Sequence, residues 1–299
     1  MLTLRKLFVD FLERRFRVRG LYSNFKKYRP FLRAGVQGLM AYRMDFLIYR
    51  LGDIMGAIVT FFLWQAVFLS SPRTNLNGFT VQEMTLYVFL SFFTSQLSYS
   101  DGAWALGDEV KDGSVAMRLL KPVNFNATFL FNELGGKSVA IGMLSVPIFG
   151  GVLLYQFLHP ATVSFSFINF ALFLLSSIFA YFINFYFNLC YGFTAFVFQN
   201  LWGANVLKSA VVAFMSGSLI PLSFFPPAIG HLLSLLPFSS LIYTPVMIYL
   251  GKENTSQILI AFAIQVVWLL IFMGLSKLIW RYTITRLNVQ GVKKVGTTI

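Results

Sequence analysis

Long apolar runs alternate with short polar breaks along almost the whole chain. A hydrocarbon core ~30 Å thick is crossed by about 20 apolar residues in a helix. Six runs approach that length, at 46–69, 81–99, 139–158, 165–189, 206–221 and 258–280, and the pattern predicts six transmembrane helices. Ser71-Pro72-Arg73-Thr74-Asn75-Leu76-Asn77-Gly78 is a turn-rich break, and Thr80 with Glu83 matches a capping box opening the second run. His159-Pro160-Ala161-Thr162 predicts a tight loop, and Gln199 to Asn205 interrupts the pattern before the fifth run. Between 221 and 251 the chain stays apolar but is cut by Pro221, Pro226, Pro227, Gly230, Pro237 and Pro245. Backbone that is not helical at membrane depth needs protein or a watery cavity around it. This segment therefore predicts a re-entrant hairpin of two short helices, near 228–236 and 240–249, dipping into the outer leaflet before the last span.

Residues 107–122 form the one long polar interruption away from the ends. Asp112-Gly113 signals a turn, Ser114 is placed to cap a following helix, and Pro122 stops it after about two turns. Ala116, Leu119 and Leu120 fall on one side of that helix, with Arg118 and Lys121 pointing elsewhere. Such a short helix is not stable alone in water. The reading is a helix at the membrane surface that docks a partner; the plain alternative is an ordinary polar loop between two spans.

Composition agrees with the pattern: of 299 residues, 57% are hydrophobic, 12% are charged and 35 are Phe, with a net charge of +13. A soluble domain carries about 25% charged residues, so the fold class is all-α integral membrane. Of the 24 Lys and Arg, all but Arg73 and Lys252 fall on one side of a six-span topology. The positive-inside rule puts that side, and both termini, in the cytoplasm. Hence the basic charge points to an anionic leaflet and away from nucleic acid.

The expected organisation is a basic amphipathic interfacial segment at 1–44, a six-helix domain at 45–280 and a basic cytoplasmic tail at 281–299. Pro30 is expected to divide the first segment, which carries no secretory signal pattern. Cys190 is the single cysteine, which leaves no intramolecular disulfide and no cysteine metal cluster; His159 and His231 are far apart, and no metal site is expected. Gly136-Lys137-Ser138 resembles the end of a phosphate loop, but Phe131 stands where the motif needs glycine and no strand precedes it. Arg50 and Asp53 lie one turn apart and can pair. Asn169, Asn184 and Asn188 sit within the fourth run, where amides bond neighbouring helices; Asn184 and Asn188 are also candidates to contact substrate. Two other classes compete. A membrane-embedded enzyme would draw on Asp101, Asp108, Glu109, Asp112 and Glu133, which have no histidine or cysteine nearby. An ion-coupled secondary carrier would show intramembrane charges and an internal repeat, and neither stands out.

The order of these features resembles the ABC-2 type permeases, the membrane subunits of ATP-driven exporters, and within them the bacterial branch of ABC-2 family transporter proteins. The resemblance is carried by Tyr42-Arg43-Met44-Asp45-Phe46-Leu47, by Trp64, and by Asn77-Gly78-Phe79-Thr80-Val81-Gln82-Glu83-Met84. It is carried above all by Glu109 to Pro122 with its Gly113-Ser114 and Leu119-Leu120-Lys121-Pro122, and by the broken segment before the last span. It implies a cytoplasmic coupling helix docking on an ATPase through Glu109, Gly113, Ser114, Met117, Arg118, Leu119, Leu120 and Pro122. The chain has no Walker motif of its own, so the resemblance places ATP and Mg on a separate ATPase, present in two copies. It further implies a second permease chain, more often a different one, in a bacterial plasma membrane. The expected cargo is hydrophobic or amphipathic (a peptide, lipid-like molecule or drug), exported along a path that includes Trp64, Gln65, Asn184 and Asn188.

Overall fold

The structure, a computed structural model, describes residues 26–160, 165–198 and 201–295, with side chains through 283. Among these residues there are helices and turns and no β-strand. A helix over 26–41 (α1) leads into α2 (Arg43–Ser70), and α3 (Val81–Ser98) returns beside it. Then come α4 (Gly102–Lys111), α5 (Val115–Leu119) and α6 (Phe125–Ala140), the last passing through a π-turn at Ile141–Ser145 into α7 (Val146–Leu158). The second half holds α8 (Phe167–Gly192), α9 (Trp202–Met215), α10 (Pro227–Leu235), α11 (Tyr243–Tyr249) and α12 (Thr255–Val295). Four stretches are long and apolar enough to cross a membrane: 43–70, 125–158, 167–196 and 255–283.

Local chemistry starts these helices where the sequence places them. Thr80 and Glu83 form the capping box, each side chain taking the other's backbone N–H. Asn124 accepts from the Ala127 amide to open α6, and Ser166 accepts from the Asn169 amide to open α8. Pro227 opens α10 at a position where its missing N–H costs nothing.

The helices pack around α8, which touches α3, α4, α11 and α12, while α2 leans on α3. One core gathers Trp64, Phe79, Tyr87, Phe93, Phe173 and Val246; a second gathers Leu106, Phe125, Phe129, Phe185 and Phe193. Polar side chains inside are spent on joining helices. Gln265 Nε2 donates to Ser176 Oγ at 2.9 Å, and also to the Ser176 and Ser240 carbonyls. The Tyr249 hydroxyl donates to Gln156 Oε1 at 2.7 Å. Away from water the alternative to each bond is an unsatisfied polar group, which costs about 1–3 kcal/mol.

The two ends of the bundle are held by different chemistry. At one end Lys252 bridges Glu83 (2.7 Å) and the Gly78 carbonyl (2.7 Å), tying the 71–80 loop to the 250–254 loop. At the other, Asn184 Nδ2 donates to the Ser98 carbonyl at 2.8 Å, Lys137 Nζ to the Leu97 carbonyl at 2.8 Å, and Ser100 Oγ to Glu133 at 2.9 Å. The loops that carry Arg73 and Lys252 thus share one end, opposite α4, α5 and α6.

Several expectations need correction. The helix that carries the third run starts well before 139: it runs from Phe125, because Gly135-Gly136-Lys137-Ser138 continues helical and only the π-turn perturbs the ladder. The phosphate-loop resemblance therefore lies inside a helix. The fifth run stops at Met215, only 14 residues long, where Gly217 adopts φ +81 and its carbonyl accepts from Tyr87 Oη at 2.7 Å. Pro30 does not divide α1 over the described part; its ring forgoes one bond, to the Lys26 carbonyl. Residues 26–41, expected at the membrane surface, pack against α6. Gly35 meets the Asn132 carbonyl and Gly135 meets the Leu32 carbonyl so closely that a Cβ would fall 1.8 and 2.0 Å from those oxygens. Two backbones touch there, which only glycine permits. The last helix continues past 280 to Val295.

Candidate functional site

The 107–122 stretch folds as a helix, a tight turn and a second helix of five residues. Gly113 sits at φ +80, in the left-handed region that glycine enters without a Cβ penalty. Ser114 does not cap α5 with its side chain, since its own backbone is already helical (φ −64, ψ −18). Its amide instead donates to Asp112 Oδ1 at 2.8 Å, and hydrogen bonding from the Ser114 side chain and then from that amide holds the exposed Asp112 carboxyl below its ordinary value. The helix ends at Leu119, just ahead of Lys121 and Pro122.

Arg118 turns inward. Its Nε donates to Glu109 Oε2 at 2.8 Å and its Nη2 to the other carboxylate oxygen, a two-pronged pair across the turn. Nη1 donates to Thr128 Oγ1 at 2.8 Å, and the guanidinium lies 4.0 Å from the centre of the Phe129 ring. Its side chain is only 12% exposed. Phe31 of α1 completes the cradle, beneath both Arg118 (5.8 Å) and Lys121 (5.1 Å). Tyr28 of α1 stacks on Phe131 at 4.9 Å and accepts the Asn124 amide at 3.2 Å. Thr128, Phe129 and Phe31 were not singled out from sequence; their signal was an aromatic and hydroxyl set one or two turns into the helices that flank α5.

With Arg118 and Val115 facing in, the apolar residues face out. Met117 is 66% exposed, Leu119 39% and Leu120 79%. A five-residue helix pinned from below by a bidentate ion pair thus holds up a small apolar patch.

The residues read as a substrate path do not come together. Trp64 is buried against Phe224, ring centroids 4.9 Å apart, and its indole N–H has no hydrogen-bond partner among the described residues. Gln65 donates to Thr85 Oγ1 at 3.1 Å, near the start of α3. Asn184 bonds the Ser98 carbonyl at the far end of α3, about 20 Å away at 1.5 Å per residue. Asn188 donates to the Asn184 carbonyl and accepts from Lys208 Nζ at 2.5 Å. Arg50 and Asp53 do pair, at 2.6 Å.

The sequence pattern of the ABC-2 family transporter proteins matches residues 54–291. The chain belongs to that family. It is a multi-pass membrane permease of an ABC transporter, the kind of subunit that associates with an ABC ATPase and is typically not itself catalytic. No curated protein matches the chain. In the permease the match takes in all of α3 to α11 and most of α2 and α12, so the α4–α5–α6 assembly lies wholly within it.

Proposed function

We propose that this permease exports a hydrophobic or amphipathic substrate and that α5 is the element through which a separate ATPase drives it. The observation that carries the reading is the α5 geometry: Met117, Leu119 and Leu120 bare, Arg118 locked to Glu109, Thr128 and Phe129. A push on that patch reaches α6 through Thr128 and α4 through Glu109, so a displaced α5 drags the ends of two helices with it. ATP closing an ATPase pair supplies the work, and the difference in ATP affinity between the two states limits how much. Glu109, Gly113, Ser114 and Pro122 shape the element, while Met117, Leu119 and Leu120 make the contact.

The basic end of the bundle is read as cytoplasmic, with both termini there and Arg73 and Lys252 outside, in a bacterial plasma membrane. Six crossings follow when α3 and the short α9 with its irregular extension are counted with the four long stretches. The working complex is two permease chains, the second more often a different polypeptide, with two ATPases that bind ATP and Mg. Trp64, Gln65, Asn184 and Asn188 remain candidates along the path, in two separate groups.

The test is affinity purification of the chain from its native membrane, with and without Leu119→Asp plus Leu120→Asp. The expected result is an ATPase that accompanies the wild type and is lost from the double variant while the variant stays folded and inserted. A correctly inserted wild type that brings down no ATPase would overturn the reading.

A further inference from the structure

At the end of the bundle opposite α5, rings from three separate elements meet. Trp64 of α2 lies 4.9 Å from Phe224, in the broken segment after α9, and Phe224 lies 6.1 Å from Phe79, just ahead of α3. Phe79 in turn meets Tyr87 of α3 edge to face at 5.7 Å. Trp64, Phe79 and Tyr87 are all buried, so the rings close this end. Lys252 holds the closure from above. Its ammonium lies 4.6 Å from the centre of the Phe79 ring and donates to the Gly78 carbonyl and to Glu83 Oε1, both at 2.7 Å. Among the described residues these two are the hydrogen bonds that join the 71–80 loop and the start of α3 to the 250–254 loop.

Three features suit this closure to coming apart. First, Glu83 divides its oxygens: Oε2 accepts from the Thr80 amide to cap α3, and Oε1 accepts from Lys252. Losing Lys252 therefore breaks the join and leaves the helix start intact. The Lys252 and Glu83 side chains are 18% and 22% exposed, so water reaches the pair and takes over each partner as it parts. Second, the closed arrangement carries a cost at Trp64, whose indole N–H is buried with no hydrogen-bond partner among the described residues. Water entering between the rings would satisfy that donor and offset part of the aromatic contact that is lost. Third, α2, which carries Trp64, packs chiefly on α3 and is bare along most of its length, so little else holds it in place.

We propose that these rings are the outer gate of the permease and that Lys252, through Glu83 and Gly78, is its latch. The structure holds the gate closed. Releasing Lys252 lets α2 and the 71–80 loop part from the Leu222–Phe224 turn and opens the way past Trp64. The inference rests on the exporter reading only in taking this end as the exit. A fixed strut between the loops behaves differently, because removing it loosens the fold at large and does not open this end selectively.

The test follows the rate at which a membrane-impermeant thiol reagent modifies Met84→Cys in the full chain in nanodiscs, with Cys190→Ala as background. Met84 is buried between α2 and α3, one residue past Glu83. Glu83→Gln keeps a capping box, which accepts glutamine, and weakens the latch. Lys252→Met keeps the stem over Phe79 and removes the charge. Each should speed modification roughly tenfold, the effect of losing one charge-assisted hydrogen bond, while Lys252→Arg should stay close to the slow wild-type rate. Leu106→Cys, buried at the opposite end, reports general loosening and should react at one rate in every variant. Equal acceleration at positions 84 and 106, or none at position 84, overturns the gate in favour of a fixed strut. In the complex with its ATPase, ATP with vanadate should speed modification at position 84 of the unlatched wild type; a complex whose rate ignores ATP overturns the gate as well. The comparison of variants needs no ATPase, so failure to find one would end the exporter reading and leave the latch result standing.

Discussion

At the residue scale, Arg118 and Asp101 show how far charge can be read from position alone. Sequence spacing put Arg118 off the Leu119 and Leu120 side, which holds, but gave no sign that it turns inward. A lone Arg in a short polar stretch ordinarily faces solvent. Its inward turn depends on Glu109, nine residues back and brought round by the Gly113 turn, and on Thr128 ten residues ahead. Both partners lie outside the reach of helical periodicity. Asp101 was noted only as one of several acids without a histidine. Burial raises its carboxyl pKa above the ordinary value, opposed by the hydrogen bond with Glu133 and by the charges of Lys137 and Arg50. The side chain is exposed, yet the protein packed around it thins the water that would solvate its charge. The sign follows directly: the folded state holds the proton more tightly than the unfolded state, so ionising Asp101 costs stability as pH rises. Asp101→Asn mimics the neutral form. Thermal unfolding in detergent should therefore show the variant more stable than wild type at neutral pH, with the gap closing as pH falls toward about 4, near the unfolded carboxylate value. A variant less stable at neutral pH would show that the ionised carboxylate is a net structural asset.

At the element scale, the helices with strong start signals were legible, and the breaks within apolar runs were not. The capping box at Thr80 and Glu83 fixed the start of α3, and the proline punctuation placed α10 and α11 within a few residues of where they fold. The fifth run misled because Leu219 and Ile220 carry the apolar pattern past Met215, yet Gly217 leaves the helical region to meet Tyr87, a contact spanning 130 residues. The α1–α6 crossing was missed for the opposite reason. Gly35, Gly135 and Gly136 carry no apolar signal, and their meaning appears only when two backbones meet. That crossing predicts a sharp response. Gly35→Leu should force α1 off α6, uncover Phe31 and Tyr28, and speed proteolysis within 26–41, while Gly38→Leu, with nothing within 4 Å, should behave as wild type. Equal protection in the two variants would mean that α1 is not held by this contact. Because Phe31 lies under Arg118 and Lys121, detaching α1 should also loosen α5.

At the scale of the whole molecule, the membrane class was legible from composition and run length, and the charge asymmetry picked out the end where α4, α5 and α6 gather. The structure adds the mechanical layout. The end tied by Lys252, Glu83 and Gly78 is bound loop to loop, whereas the opposite end is built from helices joined through Arg118, Asn184 and Lys137. A force at α5 would therefore enter a network of helix ends, and α2 is bare along nearly its full length. The claim most central to this account is that α5 is the surface the ATPase touches. It is tested most directly by cross-linking in the native complex, with cysteine placed at Leu120, at Met117 and, as a control at an exposed position of α8 away from α5, at Leu175; the native Cys190 is buried. The account predicts ATPase cross-links from positions 117 and 120 that change in yield when ATP is added, and none from position 175. An ATPase that stays bound but cross-links from neither α5 position would contradict it.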